Sequence, residues 1–328
     1  MAKLRAAILG YGTVGQGIHR ILQDKREELH QSLGLDIEVG AILVSDLEKE
    51  RPAAPGVRFT DNFDEVLSIP GLQVVFEAIV GEEPAYGYLC RAIDKGCHVI
   101  TANKVMFSRY HIDLHERAKA KNVYIGYEAT TAGGVPVIKT LKNLLQVNSV
   151  HRIQGILNGT SNYILTSMRT DNSSFEDALR DAQALGYAEA DPYNDVSGMD
   201  AYHKLMILSA LAFSEQPDRQ AVDVKGIDAI TLEDVKRAQE EGLRYRHVAE
   251  IIQHSNGRLE ASVGPQLVGP DHPLYAIEGV NNAVAVDTNY IGTLTLVGPG
   301  AGMYPTASVM VEDYAEIIGK RAGFMISI

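Results

Sequence analysis

Apolar runs and helical spacings alternate along the first 130 residues. Lys3–Leu9 is an apolar run of strand length, and after GYGTVG the spacing becomes helical through Leu22. Further apolar strands are predicted at Ile37–Val44, Val74–Val80 and CHVIT, and a last one at Val123–Tyr127. Between them, helices are predicted near Asp61–Ser68, over Pro84–Lys95 with Pro84 in the first turn, and over Ser108–Lys121. Strands and helices alternating every roughly 20 to 30 residues predict a doubly wound parallel sheet of the Rossmann type.

The pattern changes after EATTAGGVP, residues 128–136. A helix over Val137–Leu145 and a strand over His151–Leu157 lead into NGTSNYIL, where Thr160 or Ser161 is the expected helix cap. Helices follow at Phe175–Leu185, from Asp200 to Phe213, and at Thr231–Glu241. The chain then turns strand-like, with a hairpin about Asn256-Gly257 and two strands within NNAVAVDTNYIGTLTLVG. GPGAG and a helix over Pro305–Arg321 close the pattern. The expected fold is therefore α/β: a doubly wound parallel domain over 1–130, a second α+β domain over 131–304 for substrate, and a closing helix over 305–321.

A chain of 328 residues can bury a sizeable core in two medium domains. The formal charge of −12 argues against nucleic acid and against an anionic membrane surface as partners. Cys90 and Cys97 form no CxxC, and no stretch reaches membrane-spanning length, so a reducing, cytoplasmic setting is expected. The N-terminal apolar run is too short for a signal peptide and leads directly into the glycine turn.

Gly10, Gly12 and Gly15 fit G-x-G-x-x-G in the context the motif requires, between a strand and a helix. The first allows the tight turn, the second lets backbone approach a pyrophosphate, and the third lets helix pack on strand. The helix start then offers N–H groups and a positive dipole end to phosphate. Asp46, just past the second strand, suits ribose hydroxyls, whereas Lys49 and Arg51 suit a 2′-phosphate, so NAD and NADP both stay open. Lys104 follows CHVIT at the carboxyl edge, where such sheets bind ligands; a plain surface charge is the alternative. The glycine-rich turn at Gly133 and Gly134 offers carbonyls that, with Glu128, suit a hard cation, although on spacing alone a plain tight turn is the better explanation. In GYAEADPYNDVSGMDAYHKL, four carboxylates (Glu189, Asp191, Asp195, Asp200) precede Lys204, and Asp200 and Lys204 lie one helical turn apart. By itself this is a solvated loop with a salt bridge, or a site that holds a polar substrate and moves a proton.

GYGTVGQG (10–17), VITANK (99–104), EATTAGGVPVI (128–138), NGTSNYIL (158–165), GYAEADPYNDVSGMDAYHKLMIL (186–208) and GPGAGMYPTAS (298–308) together resemble homoserine dehydrogenases, in order and over nearly the whole chain. The resemblance implies NAD(P)-dependent interconversion of L-homoserine and L-aspartate 4-semialdehyde, in the route to threonine, methionine and isoleucine. It implies that Lys204 transfers the proton with Asp200 as its partner, and that Glu189 binds the substrate's amino group. Gly159, Thr160, Tyr187 and Asp195 would line the substrate pocket. Lys104 would lie between nicotinamide and substrate, Thr13 and Val14 in the phosphate turn, and Gly302 in a loop closing over the cofactor. A sodium site would use Glu128 and the carbonyls of Thr131, Gly133 and Val135. Family members are homodimers that pair through strands of the second region, so 131–304 would also serve dimerisation, and their C-terminal helix, here 305–321, returns to the dinucleotide-binding domain over 1–130.

Two departures bear on this reading. Many members carry an arginine where this chain has Ser45, which weakens an automatic NADP assignment. Many also carry a C-terminal ACT domain, for which no room is expected here, so no threonine feedback through it is expected. The chemistry agrees with the assigned residues. Reducing an aldehyde builds alkoxide character, which an ammonium both stabilises and protonates. Oxidation needs the neutral amine, whose reference pKa is about 10.4, so alkaline pH should favour it. The zwitterionic substrate needs a carboxylate for its ammonium, Glu189, and a cation for its carboxylate, a task for Lys104. Another Rossmann amino-acid dehydrogenase, or a non-catalytic dinucleotide sensor, is the alternative; AEADPYND and the Asp200–Lys204 pair speak against them.

Overall fold

The computed structural model describes residues 3–34, 36–52 and 54–322. The chain divides into two compact units, one comprising the residues up to Thr130 together with those from Gly302 onward, the other Thr131–Ala301. In chain order the first contains β1 (Lys3–Leu9), α1 (Thr13–Asp24), α2 (Arg26–Leu33), β2 (Asp36–Leu43), β3 (Arg58–Thr60), α3 (Phe63–Leu67), β4 (Leu72–Glu77), α4 (Ala85–Asp94), β5 (His98–Thr101), α5 (Lys104–Lys121) and β6 (Ile125–Gly126). The second contains α6 (Val137–Leu144), β7 (Val150–Ile156), α7 (Gly159–Thr170), α8 (Phe175–Ala184), α9 (Tyr193–Val196), α10 (Met199–Phe213), β8 (Asp223–Val224), α11 (Leu232–Glu240), β9 (Arg244–Gln253), β10 (Leu259–Val268), β11 (Asn281–Thr288) and β12 (Gly292–Pro299). Helix α12 (Met303–Ala322) returns to the first unit.

In the first unit the sheet runs β3-β2-β1-β4-β5-β6 with every pairing parallel. The order reverses between β1 and β4, and a crevice for ligands opens outside the carboxyl ends at such a switch point. Ile8, Val74, Phe76 and Ile100 of the sheet share one core with Ile18 and Leu22 of α1 and with Ala307, Met310 and Tyr314 of α12. The α1–α12 contact is close enough that a side chain at Gly17 would collide with the Met303 carbonyl. The division of the chain after Ala301 assigns Gly302, Met303 and Tyr304 to this first unit.

Three local differences from the pattern have physical causes. The strand expected over Val74–Val80 stops at Glu77, and Val80 is 95% exposed, because the Glu77 carboxylate accepts the Ile79 N–H at 2.6 Å and turns the chain. The helix expected from Ser108 begins at Lys104, because Asn103 caps it by accepting the Met106 N–H at 3.1 Å. The short elements α2 and β3 carried no periodicity long enough to read.

The second unit's sheet runs β12-β11-β7-β9-β10-β8, antiparallel throughout except for β10 with β8. The turn joining β9 to β10 is tied by His254 N–H to the Arg258 carbonyl at 2.9 Å. Ile164, Leu165 and Met168 of α7 pack with Ala178 and Ala182 of α8 and Val235 of α11. Helix α10 is buried on most sides, including Leu205, Met206, Ile207 and Leu208, as expected of a helix apolar all round. Among the described residues no helix is long and apolar enough to cross a membrane.

Tyr314 is fully buried, 5.9 Å between ring centroids from Phe76, and its hydroxyl has no hydrogen-bond partner among the described residues. Tyr314→Phe should therefore leave stability unchanged or raise it, since an unmet buried hydroxyl costs about 1–3 kcal/mol. Tyr314→Ala should lose about 3–5 kcal/mol through the cavity it opens. Urea denaturation of the three proteins measures both, and a clear loss in Tyr314→Phe would refute the first.

Candidate functional site

In the first unit the glycine turn is built as its spacing predicts. Gly10 has φ +90°, and a Cβ there would lie 2.6 Å from the Ala78 carbonyl oxygen, so only glycine serves. At Gly15 a Cβ would meet the Gly10 carbonyl oxygen at 2.0 Å, which fixes the close packing of α1 on β1. Gly12 is different: nothing lies within 4 Å of a Cβ placed there. Gly12 is also the N-cap of α1 and supplies no side-chain cap, so the first turn at Thr13 and Val14 presents backbone to open space. Backbone approach, helix dipole and free volume all fit a pyrophosphate. The Met303 carbonyl, next in sequence to Gly302, lies against Gly17 on the same helix.

Lys104 is the half-buried first residue of α5, immediately after the Asn103 cap. Past β2, Ser45 and Asp46 are exposed, and Asp46 Oδ1 accepts the Glu48 N–H at 2.8 Å in a local turn. Arg51 donates to the Lys49 carbonyl at 2.7 Å. Glu128 is almost wholly buried, and its N–H donates to Asp313 of α12 at 2.9 Å. Thr131, Gly133 and Val135 belong to the second unit, where the Gly134 N–H bonds the Pro299 carbonyl at 2.9 Å and Val135 O accepts the Val137 N–H at 2.8 Å. Among the described residues no group of three or more His, Cys, Asp or Glu side chains could hold a metal ion.

The second unit contains the side-chain chemistry. Lys204 and Asp200 of α10 are both nearly buried, with exposures of 8% and 5%. The Lys204 ammonium donates to Asp200 Oδ2 at 2.7 Å and to the Leu157 carbonyl, just past β7, at 2.6 Å. Asn158 joins the carboxylates: its Nδ2 donates to Asp200 Oδ2 at 2.9 Å and to Asp195 Oδ1 at 2.8 Å. Its Oδ1 accepts the Ser161 N–H at 2.8 Å, so the cap of α7 is Asn158 and neither Thr160 nor Ser161. Those two hydroxyls instead fasten the acidic loop to α7: Thr160 donates to the Tyr187 carbonyl at 2.6 Å and Ser161 to the Asp195 carbonyl at 2.7 Å. Gly159 lies so close to Val280 that a Cβ would meet its carbonyl oxygen at 2.8 Å.

The four carboxylates of the loop thus separate. Asp195 and Asp200 converge on Asn158, whereas Asp191 accepts the Tyr193 N–H at 3.1 Å and shapes the start of α9. Glu189 is exposed, with its carbonyl held by the Gln183 amide at 3.1 Å. Tyr187, also exposed, packs at 5.1 Å between ring centroids from Tyr163.

Three participants escaped the sequence reading. Asn158 occurs in the quoted NGTSNYIL phrase, and its place between strand and helix was the signal for a cap. Asn282 also donates to the Leu157 carbonyl, at 3.1 Å, and nothing in its local pattern announces it. His247 of β9 is buried; burial lowers its pKa against the raising effects of the Lys225 carbonyl and the Asp200 charge, so a neutral imidazole stands near the pair.

A sheet of this strand order, with a glycine turn fitted to a pyrophosphate, defines the class: a dinucleotide-dependent oxidoreductase. The comparisons name the particular family. Residues 10–128 match the family model described as homoserine dehydrogenase, NAD binding domain, and residues 136–315 match the model for homoserine dehydrogenase. Homoserine dehydrogenase of Bacillus subtilis is 39% identical over 319 residues, 97% of this chain and 73% of that protein. The crystal structure of a homoserine dehydrogenase from Thiobacillus denitrificans superposes with a TM-score of 0.93 at 38% identity, covering 98% of this chain and 74% of that one. A hyperthermophilic archaeal homoserine dehydrogenase in complex with NADPH gives 0.79 at 27% identity, covering 99% of each chain. The chain belongs to the homoserine dehydrogenase family, with its nicotinamide-dinucleotide-binding domain and oxidoreductase activity.

Replacing Asn158 tests the hub of the site. Asn158→Ala removes a helix cap worth about 1 kcal/mol and a donor to two carboxylates, and should lower kcat/KM about 10²-fold or more. Asn158→Asp restores the cap acceptor but sets a third carboxylate against Asp195 and Asp200, and should be no more active. Steady-state kinetics decides, and near-normal turnover in Asn158→Asp would remove the Nδ2 bridge from the catalytic arrangement.

Proposed function

We propose that the second unit's Lys204 is the proton donor and acceptor for the homoserine and aspartate semialdehyde interconversion, with Asp200 fixing its rotamer. The observation that carries this reading is an ammonium held by one carboxylate and one carbonyl inside the protein, 2.7 and 2.6 Å away. A buried charge is costly and is kept where it is paired and has a task. In reduction Lys204 gives its proton to the carbonyl oxygen as the carbon is reduced; in oxidation the neutral amine takes the hydroxyl proton. Positioned proton transfer of this kind contributes about 10²- to 10⁴-fold. The glycine turn would hold the pyrophosphate of a nicotinamide dinucleotide, which when bound would supply or accept the hydride.

Around this step the other residues bind and orient. Glu189 takes the substrate ammonium, and Gly159, Thr160, Tyr187 and Asp195 shape the pocket loop, a role supported by the bonds that fasten Tyr187 and Asp195 to α7. Gly10, Gly12, Thr13, Val14, Gly15 and Gly302 serve the dinucleotide, and Lys104, at the carboxyl edge of the sheet, serves the nicotinamide end and the substrate carboxylate. A sodium ion would draw on Glu128 and on the Thr131, Gly133 and Val135 carbonyls, all oxygen donors of the kind a hard cation takes. Copies of the chain pair through the second unit's sheet, as supported by exposed Tyr290, Ile291 and Val297 on its edge hairpin. The net charge and the absence, among the described residues, of a membrane-length helix agree with a cytoplasmic enzyme.

Lys204→Ala should abolish turnover of L-homoserine while reduced-nicotinamide binding, followed by cofactor fluorescence, survives; near-normal turnover would sink the proton-transfer role. Glu189→Gln should raise the KM for homoserine at least tenfold with a smaller change in kcat, and an unchanged KM would remove it from the substrate site. Cofactor choice is assigned to the loop after β2. Ser45→Arg should shift the NADP-over-NAD ratio of kcat/KM upward by about tenfold, the effect of one charged contact; no shift would move the determinant elsewhere.

A further inference from the structure

A second buried carboxylate lies outside the substrate machinery. Glu77 ends β4, the strand beside β1 at the sheet's switch point, and its exposure is 0%. A carboxylate there must be met by donors. The Thr101 hydroxyl, at the end of β5, donates to Oε2, and the Ile79 N–H donates to Oε1 at 2.6 Å. Thr101 relays the contact, since its oxygen accepts the Asn103 N–H at 2.9 Å. Asn103 in turn donates to the Ile79 and Gly81 carbonyls at 3.0 and 2.7 Å and caps α5 through Met106. Lys104 is the first residue of that helix. One carboxylate therefore ties together the ends of two neighbouring strands, the loop Ala78–Gly81 and the start of the helix that carries Lys104. Ala78 of the same loop is the residue whose carbonyl abuts Gly10 of the phosphate turn.

We propose that Glu77 is a positioning residue that sets the place of Lys104 at the cofactor crevice, acting through Thr101 and Asn103. The proposal rests on the reading of Lys104 given above. The protonation state of the network has a direction of its own. Burial pushes the Glu77 carboxyl up to about 7, against the lowering effects of the Thr101 hydroxyl, the Ile79 N–H and the Asn103 side chain. These groups face it from β5, from the turn after β5 and from the loop after β4, and none of them is titratable. Above that pH both oxygens accept. Below it one oxygen carries a proton, an acceptor is lost, and the tie between the two loops loosens.

The test is kinetic, on the intact enzyme with homoserine and nicotinamide dinucleotide, between about pH 6 and pH 9, on either side of neutrality. Glu77→Gln keeps the shape and removes the ionisation. It should lower kcat about tenfold with an unchanged melting temperature, and its rate profile should lack the step near neutrality that the parent shows. Combined with Lys104→Ala, Glu77→Gln should add no further loss. Equal losses in the two backgrounds, or an unchanged kcat and profile in Glu77→Gln while Lys104→Ala is impaired, would overturn the proposal. Full activity of Lys104→Ala would also overturn it, and would show that the reading of Lys104 failed rather than the link from Glu77. Where Glu77→Gln does not fold, Thr101→Val gives the same comparison, because it cuts the relay to Asn103 and leaves the carboxylate its other donors.

Discussion

A lysine ammonium under protein must have acceptors, and the second unit is arranged around supplying them to Lys204. An unpaired charge of this kind is expelled or neutralised, because the interior solvates it poorly. Asp200 supplies the counter-charge from one turn earlier on the same helix, a distance that α10 sets by itself. A further acceptor, the Leu157 carbonyl, comes from a strand end almost fifty positions away in sequence and requires β7 to finish beside α10. Asn282, from β11, donates to the same carbonyl, so the sheet's register also bears on the lysine. Asp200 in turn shares Asn158 with Asp195, and that couples the acidic loop to the start of α7.

The two units meet different chemical demands by different means. The glycine turn of the first relies on backbone, so the sequence withdraws side chains there: a Cβ at Gly10 or Gly15 would strike carbonyl oxygen, and one at Gly12 would project into open space that fits a phosphate. The polar cluster of the second uses side chains, and Lys204, Asp200 and Asn158 are each fixed by more than one hydrogen bond. Glu77 brings the second strategy into the first unit, where a carboxylate organises backbone loops rather than substrate. It is fully buried at the carboxyl end of β4, where the Thr101 hydroxyl and the Ile79 N–H meet its two oxygens.

Legibility followed the range of the interaction. The glycine turn, the Rossmann alternation and the i,i+4 pair are local, and each was readable because the residues that define it are neighbours along the chain. Val80 was misread as strand because an apolar run says nothing of the Glu77 side chain that turns the backbone after it. Lys104 follows the strand as read, but the helix expected from Ser108 already opens at Lys104, because Asn103 gains its capping role only when the strand stops at Thr101. Thr160 and Ser161 are good capping residues by type, yet Asn158 takes the position and releases both hydroxyls for the acidic loop.

By itself the sequence determined the alternation of elements, the place where phosphate meets backbone, and the spacing that joins Asp200 to Lys204, since these depend on periods of two to four residues. The tertiary structure alone decided which carboxylates of the acidic loop converge, which carbonyl receives the ammonium, that Glu77 is buried among donors, and that His247 and Asn282 stand beside the lysine–aspartate cluster. Those contacts join strand ends and helix starts distant in sequence, and hydrogen bonds between such groups exist only once strand order and register have brought them within about 3 Å.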